Sequence, residues 1–186
     1  MPSDKDRLYI ALYARGGAPR MPGREDSYHW AFIVGPKVEP NGEGQGIRFH
    51  AKEKITVVGQ PPRAQSQWVY DASPIPLQPT AMLLVRVAVG KVKDMRRLRA
   101  IFDHTPVRPG VPGWNCVGWI REALETALRD GKALGTAVNN WDSARDAAMW
   151  YVEKKKAEHR FDGRGGRYDP RRAATWDMLE RKELFP

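Results

Sequence analysis

The sequence predicts an α+β fold in which an antiparallel sheet packs against a cysteine-bearing helix, with additional helices toward the C-terminus. Two apolar runs of strand length, "HWAFIV" (29–34) and "AMLLVRVAV" (81–89), supply the sheet. Directly after the single cysteine, Val117, Ile120, Leu124, Ala127 and Leu128 recur at spacings of one, three and four residues, which makes one apolar face of a helix. Glycine- and proline-rich segments separate these runs and close each element.

Leu8 to Tyr13 is rich in aromatic and branched apolar side chains and reads as the first strand, followed by a loop through Gly16-Gly17 and Pro19 to Gly23. His29 to Val34 forms the second strand and stops at Gly35-Pro36. Glu39 to Gly46, with three glycines, turns the chain into a third strand, Ile47 to Lys52, as a long-tipped hairpin. Trp68 to Asp71 is a short strand between proline-rich segments, and Ala81 to Val89 is the central one. Asp94 caps a helix running to about Phe102, and the cysteine helix ends at Asp130-Gly131. A further helix spans Asp142 to about His159, with Ala144, Ala147, Ala148, Tyr151 and Val152 facing inward. The glycine- and arginine-rich stretch 162–167 reads as a connector, and Asp169-Pro170 as the start of a last helix to about Lys182. Residues 1–160 are therefore expected to form one domain and 161–186 a C-terminal extension.

With 186 residues and 41% hydrophobic content the chain can bury one core. One cysteine excludes an internal disulfide and a cysteine-rich zinc module, and it predicts a reducing, cytoplasmic setting. The N-terminal apolar run ends at Arg15, short of a signal-peptide core, and no segment approaches the roughly 18 apolar residues of a membrane-spanning helix. A formal net charge of +9 favours acidic partners in general terms. The densest basic clusters, Arg96-Arg97-Arg99 and Lys154-Lys155-Lys156, fall on expected helices and read as solvated faces, which leaves nucleic acid a secondary partner.

Cys116 stands where the Pro112-Gly113-Trp114-Asn115 loop becomes a helix, with Asn115 as the cap. A cysteine in the first helical turn faces unpaired N–H groups and the positive end of the helix dipole, which favours thiolate. Its own backbone N–H is a candidate oxyanion donor. The plainer reading is a small buried hydrophobe beside Trp119 and Ile120. Of the four histidines, His104 and His159 are uninformative, whereas His29 opens one strand and His50 closes the next. A hairpin register that sets His29 opposite His50 would stand both imidazoles on one face of the sheet, able to meet a helix mouth packed across it. A neutral thiol needs an adjacent imidazole as base, and that imidazole works best with a third polar group behind it. Cys116 as nucleophile, His29 as base and His50 as orienting group satisfy that requirement, with no cofactor. Zinc is a weak alternative for the same three side chains, because none of them has a close-spaced ligand neighbour.

In "YHWAFIVG" (28–35), "RFHAKE" (48–53) and "WNCVGWIREAL" (114–124) the chain resembles the circularly permuted papain-like thiol enzymes of the NlpC-like superfamily, which include the lecithin retinol acyltransferase branch and the PPPDE peptidases. The resemblance covers roughly residues 8–130 and implies a permuted papain-like fold, with His29 as catalytic histidine, His50 as third polar residue and Cys116 as nucleophile. The chain departs from the acyltransferase pattern in the 21-residue separation of His29 from His50 and in the Val117-Gly118-Trp119 run after the cysteine. The stretch "ALYARGGAP…YHWAFIVGPK" is also similar to a group of small fungal proteins of unassigned function.

The expectation is a cysteine hydrolase or acyl transferase acting on a peptide, acyl or small amide substrate, with Tyr13, Tyr28, Trp30, Trp114 and Asn115 around the cleft. Two other classes compete: a catalytically silent binding module on the same fold, using the tryptophans for recognition, and a basic nucleic-acid-binding protein.

Overall fold

The computed structural model describes residues 4–39 and 42–186. Eight strands form one sheet: β1 (Arg7–Ala14), β2 (Tyr28–Gly35), β3 (Gln45–Val58), β4 (Arg63–Pro76), β5 (Leu83–Val92), β6 (Leu134–Ala137), β7 (Ala174–Asp177) and β8 (Lys182–Phe185). Its order is β4-β3-β2-β1-β5-β7-β8, with β6 also pairing to β5. Every pairing is antiparallel except β5 with β7. Three helices complete the fold: α1 (Met95–His104), α2 (Cys116–Asp130) and α3 (Trp141–Ala157). The α+β expectation with a mostly antiparallel sheet therefore holds, and no described helix is long and apolar enough to cross a membrane.

Alternation along the strands decides the two faces. Leu8, Ile10 and Leu12 of β1, Trp30 and Phe32 of β2, and Phe49 of β3 join the helices in the main core. Tyr9, Ala11, Tyr13, Ala31 and Ile33 point the other way, into a smaller cluster closed by Leu77. Because β1 and β2 are buried on both faces, their sequences read as continuous apolar runs. Phe32 and Phe102 stack with ring centroids 4.9 Å apart, and Trp119 fills the space beside them. Each helix begins on the cap its sequence offers: Asp94 accepts from Arg97 N, Asn115 from Val117 N and Asn140 from Ser143 N. Gly131, at φ 66°, ends α2 in the left-handed region.

Two expectations are corrected. The short strand at Trp68–Asp71 is the middle of the 14-residue β4, which pairs along its whole length with an equally long β3. Beyond Glu53 this hairpin leaves the body of the sheet, so that Ile55 and Val57 are each 70% exposed and no buried face imprints a period on the sequence. The four-residue β6 lacks such a period as well. No helix spans Asp169 to Lys182: Arg172 N donates to Asp169 O in a turn, and the chain then enters β7 and β8. The cause is tertiary, because β7 lies along β5 with Ala174 fully buried and Thr175 accepting from Arg86. Arg86 is itself buried, ion-paired to Glu39 at 2.5 Å and packed on the Tyr9 ring. The turn expected at Glu39–Gly46 includes residues 40 and 41, which lie outside the described residues.

Candidate active site

Tyr13 opposes His29 in the β1–β2 ladder, which places His29 on the face of the smaller cluster. The β2–β3 ladder pairs Phe32 with Phe49, two residues away from the register that would set His29 directly opposite His50. A shift of two keeps every side chain on its face, so the histidines still meet. His29 Nε2 and His50 Nδ1 are 2.7 Å apart, with the rings edge to face. His50 Nε2 in turn lies 3.3 Å from Asp71 Oδ2, across the β3–β4 pairing of His50 with Asp71.

That chain of contacts assigns the protons. Burial draws the Asp71 carboxyl upward, but hydrogen bonds from Lys52 and Ser73 outweigh it and hold the group below its ordinary value, so Asp71 is an acceptor only. His50 must then carry its proton on Nε2 and accept on Nδ1. His29 consequently donates from Nε2 and is left with an unprotonated Nδ1. Both rings are neutral: burial, then the charges of His50, Arg48 and Arg15, lower His29 to about 3, while burial and then Arg48 lower His50 to about 4. Asp71 is the member of this array that sequence reasoning did not single out. Its signal is its position opposite His50, which exists only once the β3–β4 register is known.

Cys116 opens α2 as expected, yet its thiol is fully buried within the main core. Burial pushes the thiol up, against the opposing effects of the Trp30 backbone N–H, the Arg15 charge and the N–H groups of Val117 and Cys116. Trp30 follows His29 in β2, where the ladder with β3 has stopped and the backbone edge from Tyr28 to Ala31 faces no β3 partner. Thiol and imidazole thus flank the same backbone edge, the thiol from the helix side and the imidazole from the opposite face. Among the described residues no hydrogen bond joins Cys116 to His29 or His50, so the structure brings together two of the three expected residues and sets the third against the neighbouring residue's backbone. Above the helix mouth, Met21 Sδ sits 3.5 Å from Asn115 Nδ2, and Met21 packs on the main core. The loop bearing Met21 is pinned by Asp26, which accepts from Arg20 N at 2.7 Å and Met21 N at 3.1 Å.

The five expected cleft residues divide. Trp30 is a core residue, fully buried, its indole N–H donating to Glu25 O. Tyr13 is buried under the Arg48 guanidinium on the histidine face. Asn115 is committed to capping α2. Trp114 is half-buried, edge-on to Trp68 and so close to Gly118 that a Cβ there would meet its ring at 3.0 Å. Tyr28 alone lines a sizeable cavity, of about 420 Å³, at the end of β1 and β2, although its hydroxyl is engaged by Glu153.

Among the described residues, no group of three or more His, Cys, Asp or Glu side chains is placed to hold a metal ion. The basic helix clusters are largely neutralised: Arg97 pairs with Asp130, Lys154 with Glu158, and Lys156 with Glu153. Lys155 is no solvated side chain but 2% exposed, held between Glu158 and Glu183. No curated protein and no solved structure matches the chain. A family model does match residues 5–185, nearly the whole sequence, and by that match the chain belongs to the family of unknown function DUF6914.

Proposed function

We propose that the protein is a cofactor-independent thiol hydrolase or acyl transferase of the permuted papain-like kind, acting on an amide, isopeptide or ester bond. The observation that carries this reading is the Asp71–His50–His29 array, which leaves Nδ1 of His29 unprotonated on the residue directly before Trp30, whose backbone N–H bonds the Cys116 sulfur. In the reaction His29 Nδ1 takes the thiol proton as the sulfur attacks the carbonyl carbon. The proton then passes to the leaving amine or alcohol as the acyl–sulfur bond is completed. Water or a second nucleophile resolves the thioester. In this reading the closed arrangement is a resting state, and reaction requires the thiol and the imidazole, now on opposite faces of β2, to come into reach around the backbone edge they share.

The test is the rate of Cys116 alkylation by iodoacetamide between about pH 5 and about pH 9. The expected profile has a component below neutral pH that His29→Ala removes. A fully buried thiol pushed above its ordinary range favours a second reading, a silent binding module on this fold. That reading predicts slow labelling which rises only at alkaline pH and is indifferent to His29.

A further inference from the structure

The cavity at the open end of β1 and β2 belongs to none of the residues given a chemical role so far. It has a volume of about 420 Å³, within the range of small-molecule sites, and Leu84, Phe161 and the Tyr28 ring supply its apolar surface. Three charged side chains line it: Arg15, Lys156 and Asp162. Asp162 is already saturated, taking hydrogen bonds from His159 Nδ1 and from the backbone and guanidinium of Arg164. Lys156 lies 4.6 Å over the Tyr28 ring and only 3.5 Å from Glu153, which also accepts from Tyr28. Arg15 makes one long bond, at 3.4 Å, to Asp26 O. The charge left uncompensated is a single positive excess, centred on Arg15.

We propose that this cavity is the substrate's anion subsite, receiving a single carboxylate on a short apolar body, with Arg15 and Lys156 on the carboxylate and Leu84 and Phe161 beneath the apolar part. The inference rests on the thiol-enzyme reading only in that the cavity serves Cys116. The cavity adjoins that site along the two strands. Tyr28, in the cavity wall, precedes His29 and pairs with Ala14, the residue before Arg15. The Arg15 charge also acts on both Cys116 and His29. One excess positive charge matches a monoanion; a dianionic phosphate would stay undercompensated.

Two measurements test it. In the full chain carrying Cys116→Ala, binding of N-acetylphenylalanine and of its neutral amide is followed by amide chemical shifts. The carboxylate is expected to bind about fivefold tighter at low salt, with the advantage lost at high salt and in Arg15→Gln/Lys156→Gln. Equal binding of the two ligands, or a preference that survives in the double variant, overturns the subsite. In the native chain, the ratio of iodoacetate to iodoacetamide labelling of Cys116 should exceed that of free cysteine and return to it in the double variant. A carboxylate preference in binding without one in labelling means that the cavity does not serve the thiol, and this also overturns the proposal. The thiol reading itself is judged by the pH profile with neutral iodoacetamide, which none of these ratios enters.

Discussion

His29 Nε2 and His50 Nδ1 lie 2.7 Å apart although the two residues are not ladder partners, and both rings are neutral because burial lowers each well below the ordinary histidine value. This has a consequence for stability. As the pH falls below about 6.5, the unfolded chain takes up protons at these two sites, whereas the folded chain refuses them until about pH 4 and about pH 3. Folding free energy should therefore decline on acidification, by at most about 1.4 kcal/mol per pH unit for each histidine. Denaturant unfolding between about pH 7 and about pH 5, above the carboxylate range, isolates the effect. His29→Gln with His50→Gln should flatten the slope, and an unchanged slope would place the pair in water.

Asp71 determines which nitrogen of each ring bears hydrogen. Nitrogen-15 spectra of the native chain should show both histidines as Nε2–H tautomers. In Asp71→Ala the His50 signal should move toward a tautomer mixture and the His29 signal should follow it, with reactivity of Cys116 reduced by roughly tenfold to a hundredfold if the array orients the base. A His29 tautomer indifferent to Asp71 would show that the carboxylate does not set the proton positions of the pair.

Asp26 pins the loop that carries Met21 over the mouth of α2. Asp26→Ala removes two charge-assisted hydrogen bonds from an exposed loop, so the melting temperature should move little while iodoacetamide labelling of Cys116 accelerates by roughly tenfold. Labelling at the native rate would show that something other than this loop keeps the thiol covered.

The C-terminal strands carry partners for buried charges. A chain ending at Arg160 uncovers the β5 edge, takes Thr175 from the buried Arg86 and takes Glu183 from the buried Lys155. Arg86 keeps Glu39 and Lys155 keeps Glu158, so each cation loses one further partner, at about 1–3 kcal/mol, and the exposed β5 edge adds to that loss. The truncated chain is expected to be insoluble or to lose cooperative unfolding; a native melting temperature would mean that β7 and β8 are dispensable.

What the sequence determined by itself is local. The strand runs at Leu8–Tyr13 and His29–Val34, the helical period after Cys116 and the caps Asp94 and Asn115 are all legible, because a two-residue or 3.6-residue period and a capping oxygen act within a few residues. The meeting of His29 with His50 was legible for the same reason, since an even displacement of register changes which residues are opposite but not which face they share. Tertiary structure decided the rest. Asp71 stands behind His50 only because β3 and β4 pair in one register out of many, and Trp30 is core rather than cleft because the helices cover that face. Residues 174–177 are a strand because β5 offers its edge, and Cys116 is buried because α2 packs its first turn into the core between sheet and helices, with Met21, nearly a hundred residues earlier, at the Asn115 cap. Each of these depends on contacts between segments far apart in the chain, whose pairing is set by the total packing and leaves no period in the residues themselves.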